Sequence, residues 1–153
     1  MMIHDQKSFL ELAVVWKDED MIELRVTAAN ANFYGKVQVY GQPDRLLQFA
    51  SSILHSSLNE IDLFYESGNK DGYAYFSMKY YSIGFTGHIG VEISFEGNVS
   101  TDYRPEEKDK MKLEIIIEPN QLDIFQKELY ELAKMEAGKA TLHGRDNTPN
   151  NQT

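Results

Sequence analysis

The sequence predicts an α+β domain with a mainly antiparallel sheet of about six to seven strands and two helices, in the order β-β-β-α-β-β-β-β-α. Two observations carry this expectation. Runs of alternating apolar residues come in groups, and each group is closed by a segment of helical spacing. The single-strand, single-helix alternation of a parallel sheet is absent.

The elements follow in order. In 8–17, Leu10, Leu12, Val14 and Trp16 fall on one face, and in 21–29 Ile22, Leu24, Val26 and Ala28 do the same. A period of two means strand. Asp18-Glu19-Asp20 between them is a polar break suited to a hairpin turn. Asn30 and Asn32 mark the next turn, before a strand over 33–40 with Phe33, Val37 and Val39 on one face and Tyr34, Lys36, Gln38 and Tyr40 on the other. Gly41-Gln42-Pro43-Asp44 stops that strand and starts a helix, where Leu46, Leu47, Ala50, Ile53 and Leu54 recur at helical spacing up to an expected end near Leu58 or Asn59.

A short strand over 61–66, a turn at Gly68-Asn69-Lys70-Asp71-Gly72 and an aromatic-rich strand over 73–81 come next. In 85–95, Ile89, Val91, Ile93 and Phe95 alternate with His88, Gly90, Glu92 and Ser94. A polar loop spans 97–110, and 111–118 reads as a strand. Pro119-Asn120 opens the last helix, whose stripe is Leu122, Phe125, Leu129, Leu132 and Ala133, with Gly138 as its stop. The expected organisation is an arm over 1–7, one domain over 8–137, and a polar, disordered tail over 138–153. The two helix starts echo each other as Pro-(Asp/Asn)-x-Leu-x-x-Phe, at Pro43 and at Pro119. An internal duplication gives that echo, and so do the shared preferences of helix starts.

Composition narrows the function. The 153 residues carry a net charge of −9 and no cysteine. Thiol catalysis, disulfides and cysteine-ligated metals are excluded. Acidity on this scale repels phosphate backbones and anionic lipid, so neither nucleic acid nor a membrane is an expected partner. Its long-range attraction is to a basic partner, although charge also serves solubility alone. No apolar run has the length of a membrane span, and residues 1–7 lack the apolar core of a secretory signal, so a cytoplasmic location is expected.

No catalytic signature emerges, and the chain is expected to be no enzyme and to hold no cofactor or metal. No HExxH, Walker loop or GxSxG elbow is present. His88 and Glu92 share a strand face but lie about 13 Å apart along it, too far for one metal. The glycines from Gly84 to Gly90 lead into a strand rather than a helix, so they read as bulge or close-packing positions rather than a phosphate loop. The abundant carboxylates carry no geometry by themselves.

What remains is tyrosine, present nine times against a single tryptophan. Tyr34 and Tyr40 lie on a polar strand face. Tyr73 and Tyr75 alternate with Ala74 and Phe76, which sets them beside Ser77 and Lys79. Tyrosine suits protein-binding surfaces, and it suits half-buried packing under a helix equally well.

The order of strands, the helix at Pro43, the run Val37-Gln38-Val39-Tyr40 into it, and the matching helix at Pro119 resemble the small, acidic, cysteine-free immunity proteins encoded beside bacterial polymorphic and contact-dependent toxins. The resemblance covers about residues 8–136 as a pattern of elements rather than as a sharp motif. It implies a cytoplasmic protein that binds a cognate toxin domain, often a basic nuclease, and occludes it. It supplies no catalytic residues and no transferable binding residues. Under that reading the expected contact anchors are Tyr34, Tyr40, Tyr73 and Tyr75. Asp18, Glu19 and Asp20 form one acidic cluster, and Glu106, Glu107 and Asp109 a second. Two other classes stay open: a small-molecule-binding domain with an apolar pocket, and a homodimeric structural module paired through a strand edge; the chain itself is expected as a monomer or homodimer.

Overall fold

Alternation sets the first strands, with one irregularity near the end of the first. β1 (Phe9–Lys17) pairs antiparallel with β2 (Ile22–Ala29), and β2 with β3 (Tyr34–Gly41). The computed structural model describes residues 7–70, 72–84, 87–97 and 108–145. Leu10, Leu12, Ile22, Leu24, Val26, Val37 and Val39 form the buried face, as their spacing predicts. Trp16 does not join them. A bulge between Val14 and Trp16 shifts the register, so that Val14 pairs with Leu24 and Trp16 with Glu23. One extra residue in a strand turns every later side chain to the opposite face.

The remaining elements are α1 (Pro43–Leu54), a 3-10 turn at Leu58–Glu60, β4 (Asp62–Gly68), β5 (Tyr75–Ile83), β6 (His88–Glu96), β7 (Lys110–Ile117), α2 (Pro119–Met135) and β8 (Lys139–His143). The strands form two four-stranded antiparallel sheets, ordered β3-β2-β1-β8 and β4-β5-β6-β7. Among the described residues the expected sheet of about six to seven strands is instead two sheets with eight strands. Strands β1 to β7 were legible and β8 was not; the break between sheets depends on long-range pairing that no local pattern encodes.

The expected tail is also corrected. β8 pairs along β1 from Phe9 with His143 to Ala13 with Lys139, and its Ala140 and Leu142 are fully buried. Residues 146–153 lie outside the described residues. Thr141 N–H on β8 donates to Glu128 Oε1 of α2 at 2.8 Å, so α2 supplies a partner to this strand's edge.

The sheets pack crosswise. Ser67, Phe76, Phe95 and Met111 form one cross-strand row of the second sheet. β3 runs along that row: Gly41 lies over Ser67 and Tyr65, and Gly35 over Met111 and Phe95. A strand following a row crosses the strands that build it, as in orthogonal sheet packing. β7 treats the first sheet in the same way. Asn30 Nδ2 donates to the Glu114 carbonyl at 3.1 Å, and Arg145 N–H to the Ile116 carbonyl at 2.8 Å. One core joins the inner faces of both sheets to Leu46, Phe49, Ala50 and Ile53 of α1 and Leu122, Phe125, Leu129 and Leu132 of α2.

The halves correspond. β3 and β7 each have eight residues, and each is followed by one residue and then by a helix with proline in its first turn. In the same way β8 lies beside β1 as β4 lies beside β5. The repeat is thus a four-stranded antiparallel sheet followed by a helix, with the first half's outer strand delivered last, by the chain's C-terminal region. Because the correspondence extends to topology, it is more than two similar helix starts.

Candidate functional site

The outer face of the first sheet can be laid out from its register. Trp16 pairs with Glu23, and Glu23 with Tyr40, so these three form one row. The Trp16 and Tyr40 rings meet edge to face with centroids 6.1 Å apart, and each residue is 48% exposed. Burying a large apolar side chain stabilises by about 1.5–3 kcal/mol, and the bulge forgoes roughly half of that at Trp16. Bulges are common where a side chain is re-aimed for use. Glu23 Oε2 accepts a 2.9 Å hydrogen bond from Gln38 Nε2, which fixes the carboxylate between the two rings' strands.

The β1–β2 hairpin continues from this row. Asp18, Glu19 and Asp20 are all exposed at its tip. Asp18 builds the turn: its Oδ1 accepts the Asp20 and Met21 N–H groups, both at 2.8 Å. Those two bonds hold its carboxyl below the ordinary aspartate value. Glu19 and Asp20 are the acids the turn does not consume.

On the other side of Tyr40 a cleft of about 300 Å³ separates β3 from the β4–β5 turn. Tyr40 and the 55%-exposed Tyr73 line it, together with Tyr65, Gln38, Gln42, Asn69 and Arg45. The Tyr65 hydroxyl and Ser67 Oγ, 3.0 Å apart, contribute buried polar atoms. Burial raises the Tyr65 phenol above its ordinary value, opposed by the Ser67 hydrogen bond and by the nearby Arg45 guanidinium. Tyr73 is held by its neighbours. Lys108 Nζ donates to the Gly72 carbonyl and forms a buried ion pair with Glu96 Oε1 at 3.0 Å.

Two aromatic anchors and one acidic cluster named from the sequence, Tyr40, Tyr73 and Asp18–Asp20, thus fall around one end of the first sheet. Asp109 is exposed next to Lys108, and its carbonyl accepts the Gly97 N–H at 2.7 Å just past the end of β6. Glu106 and Glu107 lie outside the described residues. Tyr34 is 57% exposed on the same outer face. It sits six residues along β3 from Tyr40, about 20 Å at the rise of a strand, and follows the exposed Phe33 directly in sequence, so the two mark a separate aromatic end. Tyr75 does not fit an exposed anchor. It is 6% exposed on the outer face of the second sheet, and its hydroxyl donates to Glu66 Oε1 at 2.7 Å. Burial and that carboxylate raise its phenol above the ordinary value.

Trp16 was hidden by its place in an alternating run, since the extra residue of a bulge leaves no mark in the pattern. Arg45 is legible only as part of the Pro43 helix start. His88, placed with Glu92 by the sequence, instead lies 3.2 Å from Glu118 Oε2 and 3.4 Å from Arg145 Nη1. Among the described residues no group of three acidic or histidine side chains is arranged to hold a metal ion, and no helix is long and apolar enough to cross a membrane.

No family model, curated protein or solved structure matches this chain. Function is therefore read from the surface alone.

Proposed function

We propose that the protein is a non-catalytic binding domain that neutralises a basic toxin domain by covering it, in the manner of the immunity proteins its element order resembles, and that it acts in the cytoplasm. The observation that carries this reading is the bulge that brings Trp16 out of the core, against Tyr40 and beside the Asp18–Asp20 hairpin. Tryptophan and tyrosine dominate binding energy at interfaces. Acids at the rim steer a basic partner and raise the association rate. A net charge of −9 extends that attraction beyond the patch.

The test is a titration calorimetry and surface-plasmon series with the toxin domain encoded beside the gene. Trp16→Ala is expected to weaken binding by about 2 kcal/mol or more, roughly thirtyfold, through faster dissociation. Glu19→Gln with Asp20→Asn is expected to slow association and flatten its salt dependence. Absence of binding by the unaltered protein refutes the reading. Unchanged binding by both variants refutes this surface.

A further inference from the structure

The cleft beside Tyr40 occurs twice. β3 and α1 map onto β7 and α2 with an offset of 76 positions, the separation of Ala50 and Gln126. Gln42 and Arg45 of the first cleft then correspond to Glu118 and Gln121. β1 and β5 correspond from their first residues, Phe9 and Tyr75, an offset of 66 rather than 76 that pairs Lys7 with Tyr73 and Ser8 with Ala74. All four counterparts line a second cleft of about 450 Å³, between the end of β8 and the start of α2. One geometry therefore recurs at equivalent places with different chemistry.

The difference lies in the charges. The second cleft carries charges of both signs, Lys7, Glu118 and Arg145, and the last two lie against His88 Nε2 at 3.2 and 3.4 Å. Among the described residues the first cleft has one charged lining residue, Arg45. Its guanidinium makes no hydrogen bond or ion pair among the described residues. A solvated arginine needs no explanation on an open surface. This one stands in a concavity lined by the Tyr40 and Tyr73 rings, with the Gln38, Gln42 and Asn69 amides around it. Small-ligand sites combine an apolar lining with a few convergent polar groups in this way.

We propose that the first cleft binds a carboxylate carried on a flat apolar body, the ring lying against Tyr40 and Tyr73 and the carboxylate on the Arg45 guanidinium. Arginine matches a carboxylate with two parallel N–H donors. Offset or edge-to-face packing on tyrosine suits a ring. The acidity of the whole protein opposes an anion at long range, but at physiological salt that repulsion is screened beyond about 8 Å. The carboxylate comes either from a free small molecule or from the C-terminal residue of a bound chain.

The probe is benzoate, titrated at physiological ionic strength into the 15N-labelled full-length protein, with benzylamine as the cationic control. Benzoate is expected to shift the amide signals of Gly41, Gln42, Tyr73 and Ala74 with millimolar affinity, and to alter Trp16 fluorescence through Tyr40. Benzylamine is expected to leave them in place. Arg45→Ala, at an exposed position, is expected to weaken benzoate at least tenfold, and Gln121→Ala in the second cleft to have no effect. A tripeptide ending in phenylalanine with a free carboxylate separates the sources: tenfold tighter binding than benzoate assigns a chain terminus, equal binding a free ligand. Absence of shifts at the solubility limit of benzoate, equal shifts with benzylamine, or full binding by Arg45→Ala overturns the proposal.

Discussion

Gln126 Nε2 donates a buried 3.0 Å hydrogen bond to the carbonyl of Ala50, the residue in its own position in the other half of the molecule. Gly35 and Met111 repeat the relationship, for Met111 is the counterpart of Gly35 and covers it. Equivalent residues that touch each other lie on the axis relating the halves. Two such contacts, one between helices and one between sheets, define a pseudo-two-fold axis through the core. The halves differ at the axis itself, where an alanine faces a glutamine and a glycine faces a methionine. Gln126→Ala removes the hydrogen bond and leaves space between α1 and α2. We expect a loss of about 1–2 kcal/mol in urea unfolding, with Gln126→Leu losing less because it fills the gap.

The same relationship shows what the sequence could tell. Helix starts at Pro43 and Pro119 were legible because proline and a following turn of apolar spacing are local signals. So were β2, β5, β6 and β7, with small shifts at their ends. The duplication was visible only as an echo, since its proof is that β8 occupies beside β1 the place of β4 beside β5. Trp16 was misplaced for a related reason. A bulge is defined by the partner strand, and Val14-Val15-Trp16 alone does not say which residue is the extra one.

β8 was missed although it alternates Lys139, Ala140, Thr141, Leu142 and His143, because five residues after a glycine read easily as a tail. Its contribution is measurable. A chain ending at Gly138 loses the buried Ala140 and Leu142 and exposes one edge of β1. Truncating a buried leucine alone costs about 2–5 kcal/mol. We expect the chain ending at 138 to lose cooperative thermal unfolding or to aggregate, and the chain ending at 145 to melt as the full protein does. Equal melting of both would remove β8 from the fold's stable core.

The Glu96–Lys108 pair ties the end of β6 to the turn that presents Tyr73. Both side chains are less than a tenth exposed, at 7% and 6%. Lys108→Met removes one partner of this buried pair together with the donor to the Gly72 carbonyl, and is expected to destabilise the protein by up to about 3–5 kcal/mol in denaturant unfolding. Glu96→Gln combined with Lys108→Met removes both charges and is expected to recover a large part of that loss. The double variant also releases the Gly72 carbonyl. Amide hydrogen exchange around Tyr73 is therefore expected to rise in it while the β5 amides stay protected.

Asp18 gives the hairpin beside Trp16 a predictable response to acid. Its two bonds to the Asp20 and Met21 N–H groups lower the folded-state pKa below 3.8. A lowered acid pKa contributes stability that is complete above the unfolded value and disappears as pH falls through the folded one. Asp18→Asn keeps a side-chain acceptor in the turn and removes the charge. The wild-type advantage in melting temperature over this variant is expected to be constant at neutral pH, to shrink as acid protonates the unfolded chain's Asp18, and to vanish once the folded carboxyl is protonated too. The exposed position keeps the difference small, so it is best followed through the hairpin amide signals of Asp20 and Met21, which are expected to move in acid in the wild type and to stay fixed in Asp18→Asn. An advantage that grows on acidification would assign the turn to some other group.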